Sequence, residues 1–270
     1  MTDERPAVIV PDGHGAAIVW LDGQPQSHVN LADPSDLGFE YVALMATALE
    51  AYAAEVAVPR TLTHVGGGGL TLPRWVQHRW PGTPQIVLEP DAHLTDLVRR
   101  GLPLPRGHRI RVRAVDGARG IGALADGSAS VVVVDAYAAG QVPATLTTSS
   151  WWAQVTRVLR PDGLLLANLA DEPSRRWTAR VLGGVAAAGL TDIDLVGTHD
   201  VLKGRRFGNL VLVARRAGVF DHDDLARAVA RGILPAGVRR GRPAAYGPPF
   251  TEASAQPSPA PPDPGRWRLR

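Results

Sequence analysis

The sequence predicts an α/β fold in which helices cover both faces of a doubly wound, mainly parallel, seven-stranded sheet. From residue 61 onward, short apolar segments alternate with segments of helical character, which is the order of a parallel sheet with crossover helices. The apolar runs are nearly continuous, as in Val131–Val134 and Leu164–Leu169. Such runs are typical of strands that are buried on both faces.

A small β region is expected ahead of this sheet, at residues 1–32. Short apolar stretches are separated there by Pro11-Asp12-Gly13 and by Asp22-Gly23, and Asp-Gly pairs in this setting indicate hairpin turns. The segment Asp33-Pro34-Ser35 is typical of a helix start. The alanine-rich segment Leu37–Val56 then predicts a long helix.

The elements of the main sheet can be assigned from these patterns. The predicted strands are Thr61–Val65, Gln85–Leu88, Ile110–Val115, Val131–Val134, Leu164–Leu169, Ile193–Val196 and Leu210–Ala214. The predicted helices are Leu72–Arg79, Ala92–Arg100, Ser149–Leu159 and Arg175–Ala188. The last two strands are joined by residues 199–208, which are too few for a crossover helix, so we expect this pair to be antiparallel.

The composition changes after Gly218. Residues 221–230 predict one more helix, and the proline-rich residues 243–265 predict a tail that either wraps around the protein or is disordered. The chain is therefore divided into a β-hairpin region at 1–32, an α/β domain at 33–217, and a C-terminal helix and tail at 218–270.

Composition excludes several classes of protein. The 270 residues include no cysteine, which excludes a disulfide scaffold, cysteine-ligated zinc, an iron–sulfur cluster and thiol catalysis. The longest apolar runs are far shorter than the ~18 residues that cross a bilayer, and the start of the chain lacks the features of a signal peptide. We therefore expect a cytoplasmic protein without a membrane partner.

The basic residues between Lys203 and Arg242 raise the question of a nucleic-acid partner. Ten basic and three acidic side chains lie in this segment, although the net charge of the whole chain is +3. Arginine-rich stretches are usually solvated surfaces, and we favour that interpretation over nucleic-acid binding.

Four consecutive glycines, Gly66 to Gly69, follow a predicted strand and precede a helix. Glycine permits positive φ and lets a ligand approach the backbone closely, and four glycines exceed what a tight turn needs. The loop is not GxGxxG and no Gly-Lys-Ser/Thr follows, so a P-loop is excluded. We expect Gly66, Gly67 and Gly68 to contact a ligand.

Three further strands end in carboxylates, and ligands of doubly wound sheets bind at the carboxyl ends of the strands. Glu89 is placed to accept both hydroxyls of a ribose, or else it belongs to a helix start before Pro90. Asp116-Gly117 is placed to accept from an adenine amino group, or else it is a common turn.

Asp135 follows four valines of a strand that we expect to be central. A carboxylate at the end of a buried strand is costly unless it faces a cleft, which favours a role in the site over a capping role. The eight histidines show no ligand spacing, so we expect no metal site.

In their order and spacing, these residues resemble the spermidine synthase family, which has the class I S-adenosylmethionine-dependent methyltransferase fold. The resemblance covers about residues 15–215. It rests on His64-Val65-Gly66-Gly67-Gly68, Val87-Leu88-Glu89-Pro90, Asp116-Gly117, Val133-Val134-Asp135-Ala136-Tyr137, Leu21-Asp22-Gly23-Gln24-Pro25-Gln26, Phe39-Glu40-Tyr41 and Val158-Leu159-Arg160-Pro161-Asp162-Gly163.

The resemblance implies a Rossmann-like, nucleoside-binding domain at 33–217 that transfers an aminopropyl group from decarboxylated S-adenosylmethionine to putrescine. It implies that Asp135 holds and deprotonates the amine, that Glu89 holds the ribose, and that Asp116 and Gly117 meet the adenine. Gln26, Tyr41 and Tyr137 would line the substrate side. S-adenosylmethionine or its decarboxylated form would be a co-substrate, with no metal, and a homodimer is left open.

Three positions depart from the family pattern. Gly69 replaces an aspartate of the glycine loop, Ala138 replaces a second aspartate after Asp135, and Val42-Ala43 replace the His-Glu of a Tyr-His-Glu motif in the first helix. Paired carboxylates hold a dication in a partly desolvated site. The departures therefore imply an intact nucleoside half and a degenerate polyamine half.

Three functions remain open from the sequence. The first is an aminopropyltransferase whose rebuilt amine site uses Asp135 and either Asp171 or Glu172. The second is a methyltransferase, in which Gly69 leaves room for the carboxylate of S-adenosylmethionine. The third is a non-catalytic binding protein that retains the fold.

Overall fold

A computed structural model describes residues 7–216 and 221–262. Among these residues, β1 (Ala7–Pro11), β2 (Ala16–Leu21) and β3 (Gln24–Asn30) form an antiparallel sheet in that order. The small β region is therefore confirmed. The predictions for residues 1–6, for the 217/218 boundary and for the end of the proline-rich tail lie outside the described residues.

The first helix, α1 (Glu40–Glu55), begins three residues later than predicted. Gly38 has a φ of +68°, a conformation that a helix cannot contain, and Phe39 is the extended N-cap. Further along, Met45 and Tyr52 are buried against the main sheet. The helix therefore covers one face of that sheet and brings its first turn, with Tyr41, to one end.

Eight strands of the described chain form the second sheet, which is mixed. They are β4 (Leu62–Val65), β5 (Gln85–Leu88), β6 (Ile110–Arg113), β7 (Ala129–Val134), β8 (Leu159–Asp171), β9 (Asp192–Thr198), β10 (Gly208–Arg215) and β11 (Ala236–Arg240). Their order is β11-β9-β10-β8-β7-β4-β5-β6. The five strands from β8 to β6 in this order are parallel, and β9 and β10 pair antiparallel as predicted.

The predicted count of seven strands was wrong, because β11 adds an eighth at the edge. It pairs antiparallel with β9. Its sequence, Ala-Gly-Val-Arg-Arg, lacks the apolar run of a buried strand, and Arg239 and Arg240 are exposed. Charged side chains of this kind are a common way to protect a sheet edge from further pairing.

Helices cover both faces of this sheet, as predicted. The remaining helices are α2 (Thr71–Arg79), α3 (Ala92–Gly101), α4 (Gly117–Gly122), α5 (Ser149–Val158), α6 (Arg176–Ala187), α7 (His199–Leu202) and α8 (His222–Arg231). One apolar cluster contains residues of α1, α2 and α8, and the other contains residues of α4, α5 and α6. Within the described ranges, no helix combines the length and apolar character that crossing a membrane requires.

The tail wraps around the α5–α6 side of the protein as far as it is described. The backbone N–H of Ser149 donates to the carbonyl of Phe250 at 2.8 Å. The indole N–H of Trp177 donates to the carbonyl of Gln256 at 3.2 Å. Further on, the N–H of Ser258 donates to the carbonyl of Val142 at 3.1 Å, so the tail reaches the loop that follows β7.

Candidate active site

A cavity of about 680 Å³ lies at the carboxyl ends of β4, β5, β6 and β7. Ligands of doubly wound sheets bind at this end. The cavity is lined by all ten residues that the sequence analysis assigned to the site: Gln26, Tyr41, Gly66, Gly67, Gly68, Glu89, Asp116, Gly117, Asp135 and Tyr137. The β region contributes Gln26, α1 contributes Tyr41, and the strand ends contribute the rest.

The Glu89 carboxylate joins the glycine loop to the start of α3. Its Oε2 accepts from the backbone N–H of Gly67 at 2.8 Å and of Gly68 at 3.3 Å. Its Oε1 accepts from the N–H of Asp91 at 2.9 Å. A carboxylate has about four acceptor positions. A ribose at this point would therefore share or displace some of these backbone donors.

Close neighbours explain the need for glycine at two positions of the loop. Gly66 has a φ of +97°, and a Cβ there would lie 2.1 Å from the backbone oxygen of Asp135. Gly68 has a φ of +49°, and a Cβ there would lie 2.6 Å from Oγ of Ser27. The backbone of the loop is thus held tightly between β7 and the β-hairpin region.

A side chain at position 69 would point toward the β-hairpin region and away from the cavity. The N–H of Gly69 donates to Oγ of Ser27 at 2.8 Å, and a Cβ at Gly69 would lie 2.9 Å from both Ser27 Cβ and Val29 Cγ2. Gly69 is also not among the described residues that line the cavity. The expectation that this glycine leaves room for a methionine carboxylate was therefore wrong, because Ser27 and Val29 fill that space.

Asp116 is both a lining residue and a helix cap. Its Oδ1 accepts from the N–H of Arg119 at 2.9 Å, which fixes the start of α4. Gly117 follows it in a crowded position, where a Cβ would lie 2.3 Å from Cγ1 of Val65. Asp116 thus lies at the cavity wall while it caps a helix that the sequence did not predict, and its contact with adenine stays a prediction.

Asp135 accepts hydrogen bonds from two side chains. Its Oδ2 accepts from the Tyr41 hydroxyl at 3.1 Å, and its Oδ1 accepts from Nδ2 of Asn168 at 2.9 Å. Burial raises the pKa of Asp135 above 3.8, and these two hydrogen bonds oppose the rise. This geometry supports a role in the site, since a capping aspartate would bind backbone amides instead.

Asn168 is a residue of the site that the sequence analysis missed. It lies on β8, next to β7, and is 3% exposed. Besides the bond of its side chain to Asp135, the backbone carbonyl of Asn168 accepts from the Tyr137 hydroxyl at 3.2 Å. One polar side chain within the apolar run Leu164–Leu169 was the available signal. Asn168 thus fixes both Asp135 and Tyr137.

Two aromatic rings, those of Phe39 and Tyr41, line the cavity, and the Tyr41 hydroxyl contacts the Asp135 carboxylate. The rings of Phe39 and Tyr41 are stacked, with centroids 6.1 Å apart and an angle of 12° between their planes. Burial, followed by the nearby charge of Asp135, raises the pKa of Tyr41 well above its usual value, so its hydroxyl stays protonated. Tyr137 is affected in the same way.

His64, on β4, is a neutral part of the cavity wall. Its Nε2 lies 2.9 Å from Oε1 of Gln85, and Nε2 of Gln85 donates to the carbonyl of Pro73 at 3.0 Å. Burial lowers the pKa of His64 to about 4. The histidine therefore adds no positive charge at neutral pH.

The cavity is acidic. Its described lining residues include Glu89, Asp91, Asp116 and Asp135 but neither lysine nor arginine. The described chain also holds no cluster of three or more His, Cys, Asp or Glu side chains that could bind a metal ion. The cavity is thus suited to a positively charged ligand rather than to an anion.

Asp171 and Glu172 do not belong to this cavity. Asp171 is buried and accepts from the backbone N–H groups of Glu172 and Thr178, each at 2.8 Å, so it organises the start of α6. Neither acid is a described lining residue. The expectation that one of them rebuilds an amine site was wrong. Among the positions that depart from the family pattern, Ala138 lines the cavity and Ala43 does not.

The curated proteins that are similar to this chain in sequence are polyamine aminopropyltransferases. No protein-family model matches the chain. Two polyamine aminopropyltransferases of Neisseria meningitidis, from serogroups A and B, are each 26% identical over 160 residues, which is 58% of this chain. One of Chromobacterium violaceum is 24% identical over 144 residues. The chain spans 59% of the length of the two Neisseria relatives.

Comparison of structures extends the likeness over nearly the whole chain. A probable spermidine synthase from Corynebacterium glutamicum has a TM-score of 0.83 and 25% identity, covering 93% of this chain and 94% of that one. A spermidine synthase in complex with the transition-state analogue AdoDATO has a TM-score of 0.61 and 14% identity, covering 86% and 78%. Human methyltransferase-like protein 13 in complex with SAH has a TM-score of 0.54 and 20% identity, covering 71% and 90%.

The similarity to the AdoDATO-bound spermidine synthase and to methyltransferase-like protein 13 concerns the fold alone. The Corynebacterium and Neisseria proteins are similar to this chain in sequence as well. Together with the motifs at the strand ends, these comparisons confirm the resemblance inferred from the sequence. The chain is similar to spermidine synthases and polyamine aminopropyltransferases, and it has a class I methyltransferase-like fold.

Proposed function

We propose that this protein transfers an aminopropyl group from decarboxylated S-adenosylmethionine to an amine. The observation that carries the proposal is the geometry of Asp135. Its carboxylate lies at the end of a central strand, lines an acidic cavity, and is held by Tyr41 and Asn168. A carboxylate in this setting is suited to orient a protonated amine and to accept its proton.

The donor nucleoside would lie across the ends of β4, β5 and β6. The glycine loop allows close approach of the ligand, Glu89 would bind the ribose, and Asp116 with Gly117 would face the adenine. These residues all line the same cavity. A spermidine synthase of similar fold has been solved in complex with the transition-state analogue AdoDATO, which supports an adenosyl compound as the ligand class.

The reaction depends more on the alignment of the amine with the sulfonium donor than on chemical activation of either reactant. The lone pair of the amine nitrogen attacks the aminopropyl carbon next to the sulfonium, a C–N bond forms, and the C–S bond breaks with its electrons passing to sulfur. The products are the alkylated amine and methylthioadenosine, a neutral thioether. Asp135 takes the proton that the nitrogen loses. Holding both reactants in line supplies much of the rate enhancement.

The charge of the cavity favours the decarboxylated donor. Decarboxylated S-adenosylmethionine carries a sulfonium and an ammonium, whereas S-adenosylmethionine adds a carboxylate. The described lining offers four carboxylates and no lysine or arginine to receive that anion. Gly69, which was expected to leave space for the anion, faces Ser27 and Val29 instead. Methyl transfer from S-adenosylmethionine is therefore less well supported.

Calorimetry with decarboxylated S-adenosylmethionine, S-adenosylmethionine and methylthioadenosine tests the donor. We expect the decarboxylated donor and methylthioadenosine to bind, and the decarboxylated donor to bind more tightly than S-adenosylmethionine. Mass spectrometry should then detect methylthioadenosine when an amine is added. Preferential binding of S-adenosylmethionine would favour a methyltransferase. Absence of binding by every nucleoside would favour a non-catalytic protein.

A further inference from the structure

The four carboxylates of the cavity are unevenly distributed. Glu89 and Asp91 lie at the end of β5, Asp116 lies after β6, and Asp135 lies at the end of β7. In the sheet, β4 separates β7 from β5. Because neighbouring strands are about 4.8 Å apart, Asp135 is roughly 10 Å from the β5 acids along the sheet. Asp135 is thus the one acidic lining residue on the β7 side of the glycine loop in the described chain.

The three acids on the β5–β6 side each accept from backbone amides. Asp91 caps α3 by accepting from the N–H of Leu94 at 2.8 Å. Asp116 caps α4, and Glu89 binds the glycine loop. Asp135 is therefore the carboxylate that a ligand ammonium on the β7 side can meet. Its own hydrogen bonds come from side chains.

The cavity lining also contains an apolar group of residues, beside the polar Gln26, Tyr41 and Tyr137. Phe39 and Tyr41 present stacked rings, and Val42, Ala136 and Ala138 add aliphatic groups to the lining. Apolar and aromatic side chains of this kind bury the hydrocarbon part of a ligand. A methyl group at Ala138, three residues after Asp135, offers no second acceptor for a cation.

We infer that the acceptor is an apolar monoamine, a primary amine with a single cationic nitrogen and a hydrocarbon body. This inference rests on the proposed aminopropyl transfer and names its acceptor class. The ammonium of a monoamine would meet Asp135 while its hydrocarbon replaces water on the aromatic surface. The second ammonium of a diamine would lose hydration on the same surface without meeting a second carboxylate.

Two pairs of amines with equal numbers of non-hydrogen atoms test the inference. These pairs are n-pentylamine against 1,4-diaminobutane and n-hexylamine against 1,5-diaminopentane. Binding of each amine is measured by calorimetry on the full chain saturated with methylthioadenosine, so that the result does not depend on turnover. We expect each monoamine to bind about tenfold or more tightly than its matched diamine.

Ala138→Asp with the matched control Ala138→Asn makes the test specific. The aspartate adds a second carboxylate beside Asp135 and should shift the preference toward diamines by about tenfold, whereas the asparagine should not. A wild-type protein that binds diamines as tightly as monoamines, or that binds neither, would overturn the inference while methylthioadenosine binding stands. Failure to bind methylthioadenosine would overturn the proposed function, and this inference with it.

Discussion

The hydroxyl group of Tyr41 donates to Oδ2 of Asp135 across 3.1 Å, which joins α1 to the end of β7 over 94 positions of the sequence. Asn168 holds the other carboxylate oxygen from β8. Three separate elements thus fix the direction of one carboxylate. Because the Tyr41 pKa is raised well above its usual value, this donor stays protonated through the neutral range.

Replacing Asp135 by asparagine keeps the shape of the side chain and removes its charge. We expect turnover of the decarboxylated donor with an amine to fall by roughly 10²–10⁴-fold, the usual contribution of a general base. Methylthioadenosine affinity, measured by calorimetry, should stay nearly the same, since Glu89 and the glycine loop are unchanged. A folded Asn variant with full activity would rule out the catalytic role of Asp135.

Replacing Tyr41 by phenylalanine removes one of the two hydrogen bonds that lower the Asp135 pKa. The pKa of the carboxyl should therefore rise, and the acid limb of the pH–rate profile should move to higher pH. Loss of a hydrogen bond to a charged group is worth about 1.5–3 kcal/mol. Tyr137→Phe is the control, since the Tyr137 hydroxyl binds the Asn168 carbonyl, and its acid limb should move less. Equal shifts in both variants would contradict the assignment.

Replacing Glu89 by alanine should weaken methylthioadenosine binding by about 1.5–3 kcal/mol, because a charged hydrogen-bond partner of the ribose is lost. The same change releases the N–H groups of Gly67, Gly68 and Asp91. Glu89→Gln keeps one acceptor oxygen and should show a smaller loss. Calorimetry compares the three proteins, and unchanged affinity in the alanine variant would remove the ribose assignment.

His64 makes the folded state sensitive to acid. Burial lowers its pKa from 6.5 to about 4, so between these values the unfolded chain binds a proton that the folded chain does not. The contribution of His64 to the free energy of unfolding is fully present above pH 6.5 and is lost as the pH falls toward 4. The loss amounts to about 3 kcal/mol.

Urea unfolding at about pH 7 and about pH 4 measures this loss. His64→Gln removes the titrating group, so its free energy of unfolding should fall less between the two pH values than that of the wild type. The losses of the two proteins must be compared with each other, because carboxylates titrate in the same pH range in both. Identical losses in both proteins would show that His64 does not titrate as described.

Ser258 should control the loop that follows Asp135. It is 1% exposed, its Oγ accepts from the Val142 N–H at 2.9 Å, and its carbonyl accepts from Nε2 of Gln141. Ser258→Ala leaves a buried N–H without its acceptor and should lower the free energy of unfolding by about 1–3 kcal/mol. Because Ala138 and Pro143 of this loop line the cavity, the KM for the amine should rise more than kcat falls.

Ser254→Ala is the matched control, since Oγ of Ser254 bonds Arg180 and Thr251 away from the cavity. Hydrogen exchange of the amides at 138–142 should be faster in the Ser258 variant and unchanged in the Ser254 variant. Equal exchange rates in the two variants would show that the tail does not hold the loop.

Two of the parallel strands were predicted closely. Gln85–Leu88 has the predicted limits, and Leu62–Val65 differs by one residue. The short edge strand β11 and the glycine-rich helix α4 were missed because their sequences carry no apolar run. Pairing with β9 and the Asp116 cap stabilise them, and both are interactions with residues outside these segments.

The side chains at the strand ends were predicted, but their partners were not. The parallel register pairs Val134 with Ala167, which places Asp135 beside Asn168 in the following positions. Register depends on how two distant strands pack, so the sequence could not identify Asn168 as the partner of Asp135. The same limit applies to Ser27, whose contact with Gly69 comes from the packing of the β-hairpin region against the glycine loop.

The hydrogen bond between Val142 and Ser258 can form only late in synthesis of the chain, after the sheet residues have been made. These residues are 116 positions apart. At about 5–20 residues per second, synthesis of the intervening chain takes roughly 6–23 s after Val142 has been made. The parallel strands and the glycine loop can pair during this interval, whereas the loop after Asp135 gains its final support only when Ser258 emerges. A nascent chain is therefore expected to acquire nucleoside affinity before it acquires a finished acceptor surface.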